Sequence, residues 1–223
     1  LYKKKINNNN SNSMKLKLLF CAAALLAVSI VTNAQTKFGV VAGVNINKIR
    51  IEKESLDPKA GFHLGVLLDK ELIGPIHIQP SILFTQKGAK QDLGVAETKI
   101  KMNYLQIPIE ASLRLPLGPI KLAINAGPYF AWGLNGKMET EGESGLGKVK
   151  VTYENIFKGK DGEDPLYKRF DTGLRLGAGV HMLEHLAVNL YYDLGFVKLD
   201  KESIADEFAS KNGSFLISAS FVF

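Results

Sequence analysis

The chain reads as all-β: an eight-stranded antiparallel up-and-down transmembrane β-barrel preceded by a cleavable signal peptide. Three observations predict it. Eight stretches alternate apolar and polar residues with period two, the spacing of strands whose two faces meet different surroundings. The segments joining them are alternately long and short, as connections are on the two sides of a membrane barrel. A secretory leader stands before the first of them.

The leader comes first. Met14 begins it, Lys15 and Lys17 give the charged start, Leu18 to Val31 the apolar run, and Thr32-Asn33-Ala34 the small-residue cleavage site before Gln35. That run is too short for a spanning helix. Residues 1–13, LYKKKINNNNSNS, fit no export pattern and read as a non-native or misassigned extension. The expected domains are therefore 1–13, a signal peptide at 14–34 and a barrel at 35–223. The formal charge of +6 is concentrated in the leader, which holds five lysines and no acid, leaving 23 basic against 22 acidic residues beyond it. A mature net charge near +1 removes the electrostatic case for nucleic acid. Cys21, the one cysteine, sits inside the leader with Leu19 and Phe20 before it, not the small residues a lipoprotein site needs. The mature chain thus has no disulfide and no Cys-based metal site.

The strands are expected at about 37–47, 61–69, 76–87, 101–115, 120–135, 169–182, 186–197 and 213–223. The first alternates Phe38, Val40, Ala42, Val44 and Ile46 with Gly39, Val41, Gly43, Asn45 and Asn47. In the second, Phe62 opposes a Gly61 and Gly65 face; Phe84 lies near the end of the third. The fourth turns Tyr104, Gln106 and Glu110 one way, and the fifth sets Leu122, Ile124 and Trp132 against Asn125, Gly127 and Tyr129. In the sixth and seventh, Leu174, Leu176, Val188 and Leu190 alternate with Arg175, Gly177, Asn189, Tyr191 and Asp193. The last carries Phe215, Ile217, Ala219, Phe221 and Phe223 on one face. Three connections are tight: 70–75, 116–119 and 183–185. The other four, 48–60, 88–100, 136–168 and 198–212, read as long outer loops, which leaves both termini in the periplasm.

A soluble ligand-binding barrel has the same alternation turned inside out. The apolar face, however, carries far more side chains than the about twelve that fill a core of eight strands, so it faces lipid. The polar face mixes Gly61, Gly65, Gly127, Gly133, Gly173, Gly177, Gly179 and Gly195 with Tyr104, Tyr129, Tyr191 and His181, small beside large as a crowded lumen requires. Phe38, Phe62, Phe84, Trp132, Phe170, Phe196 and Phe221 fall near strand ends, where aromatic girdles form.

Pairing Met182 with Leu186 across the three-residue turn sets Arg175 opposite Asp193, Tyr191 against Gly177 and Asn189 against Gly179. Pairing Leu115 with Ile120 sets Gln106 against Tyr129, Glu110 against Asn125 and Arg114 against Lys121, a solvated like-charge pair. The expected site is a structural polar network plugging the lumen, made of Arg175, Asp193, Glu110, Tyr129 and Tyr191. Catalytic, cofactor-binding and metal residues are none.

Several motifs imitate chemistry without its context. Gly142 to Lys148 follows the start of a phosphate-binding loop, but Val149 stands where a magnesium-holding hydroxyl belongs and no helix follows. His181-Met182-Leu183-Glu184-His185 follows an inverted zinc-protease pattern, which needs a helix to bring both imidazoles together. Here it straddles a strand end and a turn. Gly173, Gly177 and Gly179 imitate a dinucleotide fingerprint from within a strand. Residues 136–168 carry Glu139, Glu141, Glu143, Asp161, Glu163 and Asp164 among compensating lysines, and the alternation Lys148 to Tyr153 predicts a hairpin running past the bilayer. This segment is the first place to look for an envelope protein partner.

The segments GFHLGVLLDKEL (61–72), IHIQPSILFTQKGAK (76–90), MNYLQIPIEASLRLPLG (102–118), AGPYFAWG (126–133), RFDTGLRLGAGV (169–180) and the closing SFLISASFVF resemble the PorT-like outer-membrane β-barrel family over residues 35–223. The resemblance implies a Gram-negative outer-membrane barrel in contact with outer-membrane lipid and lipopolysaccharide, inserted by the barrel-assembly machinery. Phe221 and Phe223 would be the assembly signal. The expected function is a structural or loop-mediated binding role in the cell envelope, without catalysis or cofactor. The alternatives are a narrow channel for small solutes and a PorT-like subunit of a protein-secretion apparatus.

Overall fold

The structure, a computed structural model, describes residues 36–50, 57–92, 96–144, 147–158, 167–182, 185–197 and 211–223. The expected signal peptide and the 1–13 extension lie outside the described residues. Nine strands form: β1 Thr36–Arg50, β2 Asp57–Ile73, β3 Ile76–Asp92, β4 Ala96–Leu117, β5 Ile120–Ser144, β6 Gly147–Glu154, β7 Phe170–Met182, β8 Leu186–Gly195 and β9 Lys211–Val222. All the pairs whose register is defined are antiparallel. The order β4-β3-β2-β1-β9-β8-β7-β5, with β4 also pairing β5, closes an eight-stranded ring in which β1 meets β9. Closure leaves no edge within the ring, the condition for strands in hydrocarbon.

The faces sort as a lipid-embedded barrel requires. Ile124 is 61% and Leu190 59% exposed on the outer wall, joined by Leu122, Leu176 and Val188, while Arg175, Asp193 and Glu110 are buried inside. One continuous row across the outer wall runs Leu64, Phe84, Leu105, Trp132, Phe170, an aromatic-rich upper girdle. Phe38, Phe221 and Phe223 gather at the opposite end, where the rings of Phe221 and Phe223 meet edge to face at 5.3 Å.

Two expectations change. Where they are described, the segments 48–60, 88–100 and 136–168 are largely strand and not loop, and the hairpin expected from the alternation of Lys148 to Tyr153 is present as β5 paired with β6. β4 has 22 residues and β5 has 25, at least twice the about 9–11 that cross a bilayer. Above the girdle, β3, β4 and β5 continue outward as a sheet, and β6 joins it by pairing Ser144 with Gly147 through Lys137 with Glu154. Sequence alternation persists there, but the face continuous with the lipid-facing wall becomes charged and polar while the other keeps Met138, Val149, Val151 and Tyr153, so the bilayer pattern ends and, apart from Lys148 to Tyr153, the segments read as loop. The second change is the β4–β5 register. Leu117, not Leu115, pairs with Ile120, so the turn has two residues. Gly118 takes φ 63°, the left-handed value that two-residue hairpin turns demand at their first position, and Pro119 fixes the second. Pro116 stays in the strand opposite Lys121. The two-residue shift preserves which face each side chain occupies but moves it one layer along the barrel.

A bulge lies at the top of the band. Asn103 pairs with Asn135 but Tyr104 with Gly133, so β5 carries one extra residue, Leu134. Leu134 and Asn135 are both exposed on the outer wall and Gly136 turns inward. The bulge thereby flips the phase of the extension, placing Met138 inside and Lys137, Glu139 and Glu141 outside.

Candidate functional site

The lumen is filled by three charged layers. In the middle one, Arg175 donates from Nε to Asp193 Oδ1 at 2.6 Å and from Nη2 to Oδ2 at 2.8 Å, and from Nη1 to Glu110 Oε1 at 3.3 Å. Gln106 Nε2 donates to Asp193 Oδ2 at 2.7 Å. The Tyr191 ring lies 5.1 Å from the guanidinium. β7 and β8 bring Arg175 and Asp193 directly opposite each other, with Tyr191 over Gly177 and Asn189 over Gly179. A Cβ on Gly177 would stand 2.2 Å from Tyr191 Cδ1, so only glycine leaves room for that ring. Below this layer a cavity of about 20 Å³ is lined by Gln79, Ser81, Glu110, Arg175, Asn189 and Ser218, room for about one water.

Of the five residues expected in the network, the structure brings Arg175, Asp193, Glu110 and Tyr191 together. Tyr129 belongs to a separate outer layer. Its hydroxyl donates to Asp171 Oδ2 at 3.3 Å, Asn212 Nδ2 donates to the same oxygen at 2.8 Å, and Lys87 Nζ lies 3.6 Å from it. Lys87 is 2% exposed and sits 4.8 Å from the Tyr129 ring and 5.5 Å from that of Tyr104, a cation held between two π faces. The corrected register accounts for the difference. Tyr129 pairs with Pro108 and Gln106 with Ala131, while Glu110 packs beside Gly127 in place of Asn125.

The third layer is near the periplasmic end. Arg114 faces Ala123, not Lys121, and is buried against Asp69 through two bonds of 2.7 and 2.9 Å. His77 Nδ1 completes the group 3.2 Å from Asp69 Oδ1. The solvated like-charge pair expected there is therefore a buried bidentate ion pair. Sequence reading missed Asp69, Lys87 and Asp171 as lumen groups, although their odd positions put them in phase with Gly65, Thr85 and Gly173. Phase was the available signal.

The outer mouth is closed by an element with no sequence signal. After β6, Asn155 turns through φ 67°, and the amides of Asn155 and Ile156 both donate to Gly136 O, at 2.8 and 3.1 Å. Ile156 and Phe157 fold into the mouth against Gly136 and Gly133, and Phe157 meets Tyr104 edge to face at 5.6 Å. Arg169 Nε donates to Phe157 O at 3.1 Å and holds the segment in place.

Outside the membrane, the β3–β6 sheet carries an ion-pair ladder. Lys90 and Lys99 reach Glu97 at 2.7 and 3.3 Å, Lys137 reaches Glu139 at 2.9 Å, and Lys150 reaches Glu141 at 2.8 Å. These bonds hold the carboxyls of Glu97, Glu139 and Glu141 below their ordinary range and raise the Lys150 ammonium. The opposite face exposes Val149, Val151 and Tyr153.

The imitation motifs dissolve into this frame. Gly142, Ser144 and Gly147 belong to the β5–β6 hairpin. His181 points into the lumen from β7, whereas His185 bonds Val222 O at 2.7 Å and stacks on Phe221. Among the described residues, no three His, Cys, Asp or Glu side chains gather as a metal site.

Residues 33–201 match the outer membrane protein beta-barrel domain. The chain belongs to that family. It is an outer-membrane protein, with its oily wall in the lipid and its charged layers in the lumen. Among solved structures, this outer-membrane barrel is similar to Ail, the attachment invasion locus protein of Yersinia pestis, solved in complex with the heparin analogue sucrose octasulfate. Identity is 17%, the alignment covers 85% of this chain and 99% of that one, and the TM-score is 0.44. Neisserial surface protein A shows 14% identity, 83% and 97% coverage and a TM-score of 0.47. OprG from Pseudomonas aeruginosa shows 10%, 84% and 95%, and 0.38. No curated protein matches the chain.

Proposed function

We propose that this barrel is a monomeric, non-catalytic envelope protein that presents the β3–β6 sheet outside the membrane for a protein partner, its lumen serving as a structural plug. The observation that carries the reading is the hairpin of β5 and β6, which continues past the girdle as ordered sheet and is braced by ion pairs on one face. A connection with no task beyond joining two strands needs no such length. The lumen residues Arg175, Asp193, Glu110, Tyr129 and Tyr191 act in this reading as packing and register groups, because ion pairs so buried are better at specifying an arrangement than at stabilising it.

The test replaces 138–153 with a short Gly-Asn turn and compares pull-downs from native membranes. Loss of a specific envelope protein, with heat-modifiable gel migration of the barrel retained, supports the reading; an unchanged partner set overturns it. If the partner retained by the intact hairpin proves to be secretion machinery, the finer PorT-like role follows. A second reading, a narrow conduit, is favoured by the water-sized cavity beside Arg175 and Glu110. Steady planar-bilayer openings that Arg175→Leu alters would establish it in place of the plug.

A further inference from the structure

Reading up the outer wall of β3, β4 and β5 from the girdle, the residue types change in a fixed order. Phe84, Leu105 and Trp132 form the last apolar row. The next row is an amide ladder: Gln86 Nε2 donates to Asn103 Oδ1 at 3.3 Å, and Asn103 Nδ2 donates to Asn135 Oδ1 at 2.6 Å. The row above that pairs Gly88 with Lys101 and Lys101 with Lys137. Two lysines directly opposite each other on one face repel.

A third cation joins them. The Lys59 stem crosses the space a Cβ on Gly88 would meet, Cδ at 3.2 Å, and its Nζ donates to Ile100 O at 3.1 Å. Lys99 flanks the group one row higher. The carboxylates in reach are already engaged: Glu97 holds Lys90 and Lys99, and Glu139 holds Lys137 and Lys150; Glu154 stands opposite Lys137 on β6. Among the described residues, neither Lys59 nor Lys101 has a carboxylate within ion-pair distance. Burial and then the Lys101 charge lower the Lys59 ammonium below its ordinary value of 10.5, with Glu139 acting in the opposite sense; what marks the patch is its geometry, Lys59 and Lys101 side by side with Lys137 facing Lys101.

Height supplies the second constraint. Successive same-face rows are about 7 Å apart along a strand, so the lysine row stands about 14 Å along the strand above the last apolar row, or roughly 10 Å above it after tilt. Lysine stems bent back towards the membrane reach the headgroup layer from there. The geometry points to a docking site on the outer wall for the phosphate of an outer-leaflet glycolipid: Lys59 and Lys101 contact the phosphate, Asn103 and Asn135 meet sugar hydroxyls, and Leu105, Trp132 and Leu134 lie along the acyl chains. This site is independent of the hairpin having a protein partner.

The full chain is reconstituted in phosphatidylcholine nanodiscs containing bisphosphorylated lipid A or its dephosphorylated form, and lipid retained by the detergent-released barrel is read by native mass spectrometry. The wild type is expected to keep the phosphorylated form selectively. Lys59→Gln with Lys101→Gln is expected to reduce that retention by about fivefold per lysine, whereas Lys121→Gln at the periplasmic rim leaves it unchanged. Heat-modifiable migration identifies the folded fraction of each variant, and only that fraction is scored. Equal retention of both lipid forms, an unaltered K59Q/K101Q variant, or an equal loss in K121Q overturns the proposal.

Discussion

Arg175 is the cation of the middle lumen layer, buried and facing two carboxylates, Asp193 and Glu110. Replacing it with Met leaves Asp193 and Glu110 buried without their counter-charge, a change that costs about 3–5 kcal/mol for one broken partner. Urea unfolding followed by Trp132 fluorescence should show that loss. The triple variant Arg175→Met, Asp193→Leu, Glu110→Gln should recover most of it, because the charges then vanish together. At Gly177 the issue is volume. Gly177→Val drives a side chain into Tyr191 and should cost about 1–3 kcal/mol in the same assay, with Gly177→Val, Tyr191→Ser restoring stability. Arg175, Asp193, Tyr191 and Gly177 were legible from sequence, since a three-residue turn and strict alternation fix their register. Lys87 and Asp171 were not legible as partners: they sit on β3 and β7, which are not neighbours in the ring, and only closure brings them face to face.

At the scale of elements, the bulge at Leu134 decides what the β5–β6 hairpin shows to lipid and what it shows to the mouth. Deleting Leu134 removes the extra residue, so Lys137, Glu139 and Glu141 turn inward and Met138 outward. Hydrogen exchange should then show protection of 137–144 falling by at least about tenfold, ~1.4 kcal/mol, while 105–132 stays protected. The Ile156-Phe157 plug makes a separate prediction. Ile156→Ala with Phe157→Ala strips the apolar groups from the mouth, and Lys87, shielded in the wild type, should become reactive to an amine-acylating reagent added from outside; mass mapping of Lys87 checks this. Strand positions were legible within the bilayer because lipid on one side and packed lumen on the other enforce alternation. Outside it that contrast fades, and apart from the alternation of Lys148 to Tyr153 the same strands read as loops.

For the whole molecule, the family and the oily outer wall place the chain in the outer membrane, where folding depends on insertion. If the aromatic end of β9 is the assembly signal, Phe221→Ser with Phe223→Ser should lower the heat-modifiable fraction in cells several-fold. Refolding of the same purified variant from urea into detergent should change little, because the defect lies in recognition, not in barrel stability. Equal losses in both settings would make these two residues girdle packing alone.

The sequence by itself determined the strand count of the ring, the side of each strand that meets lipid and the Arg175–Asp193 pairing, because period-two alternation sets the face that keeps charge out of hydrocarbon and the three-residue β7–β8 turn sets the register. The tertiary structure decided the β4–β5 register, the layers built from Asp69, Arg114, Lys87 and Asp171, and the plug of Ile156 and Phe157. Those depend on a left-handed glycine shortening a turn, on ring closure joining strands far apart in the chain, and on a segment folding back across the mouth. None of these leaves a periodic mark on the residues that carry it.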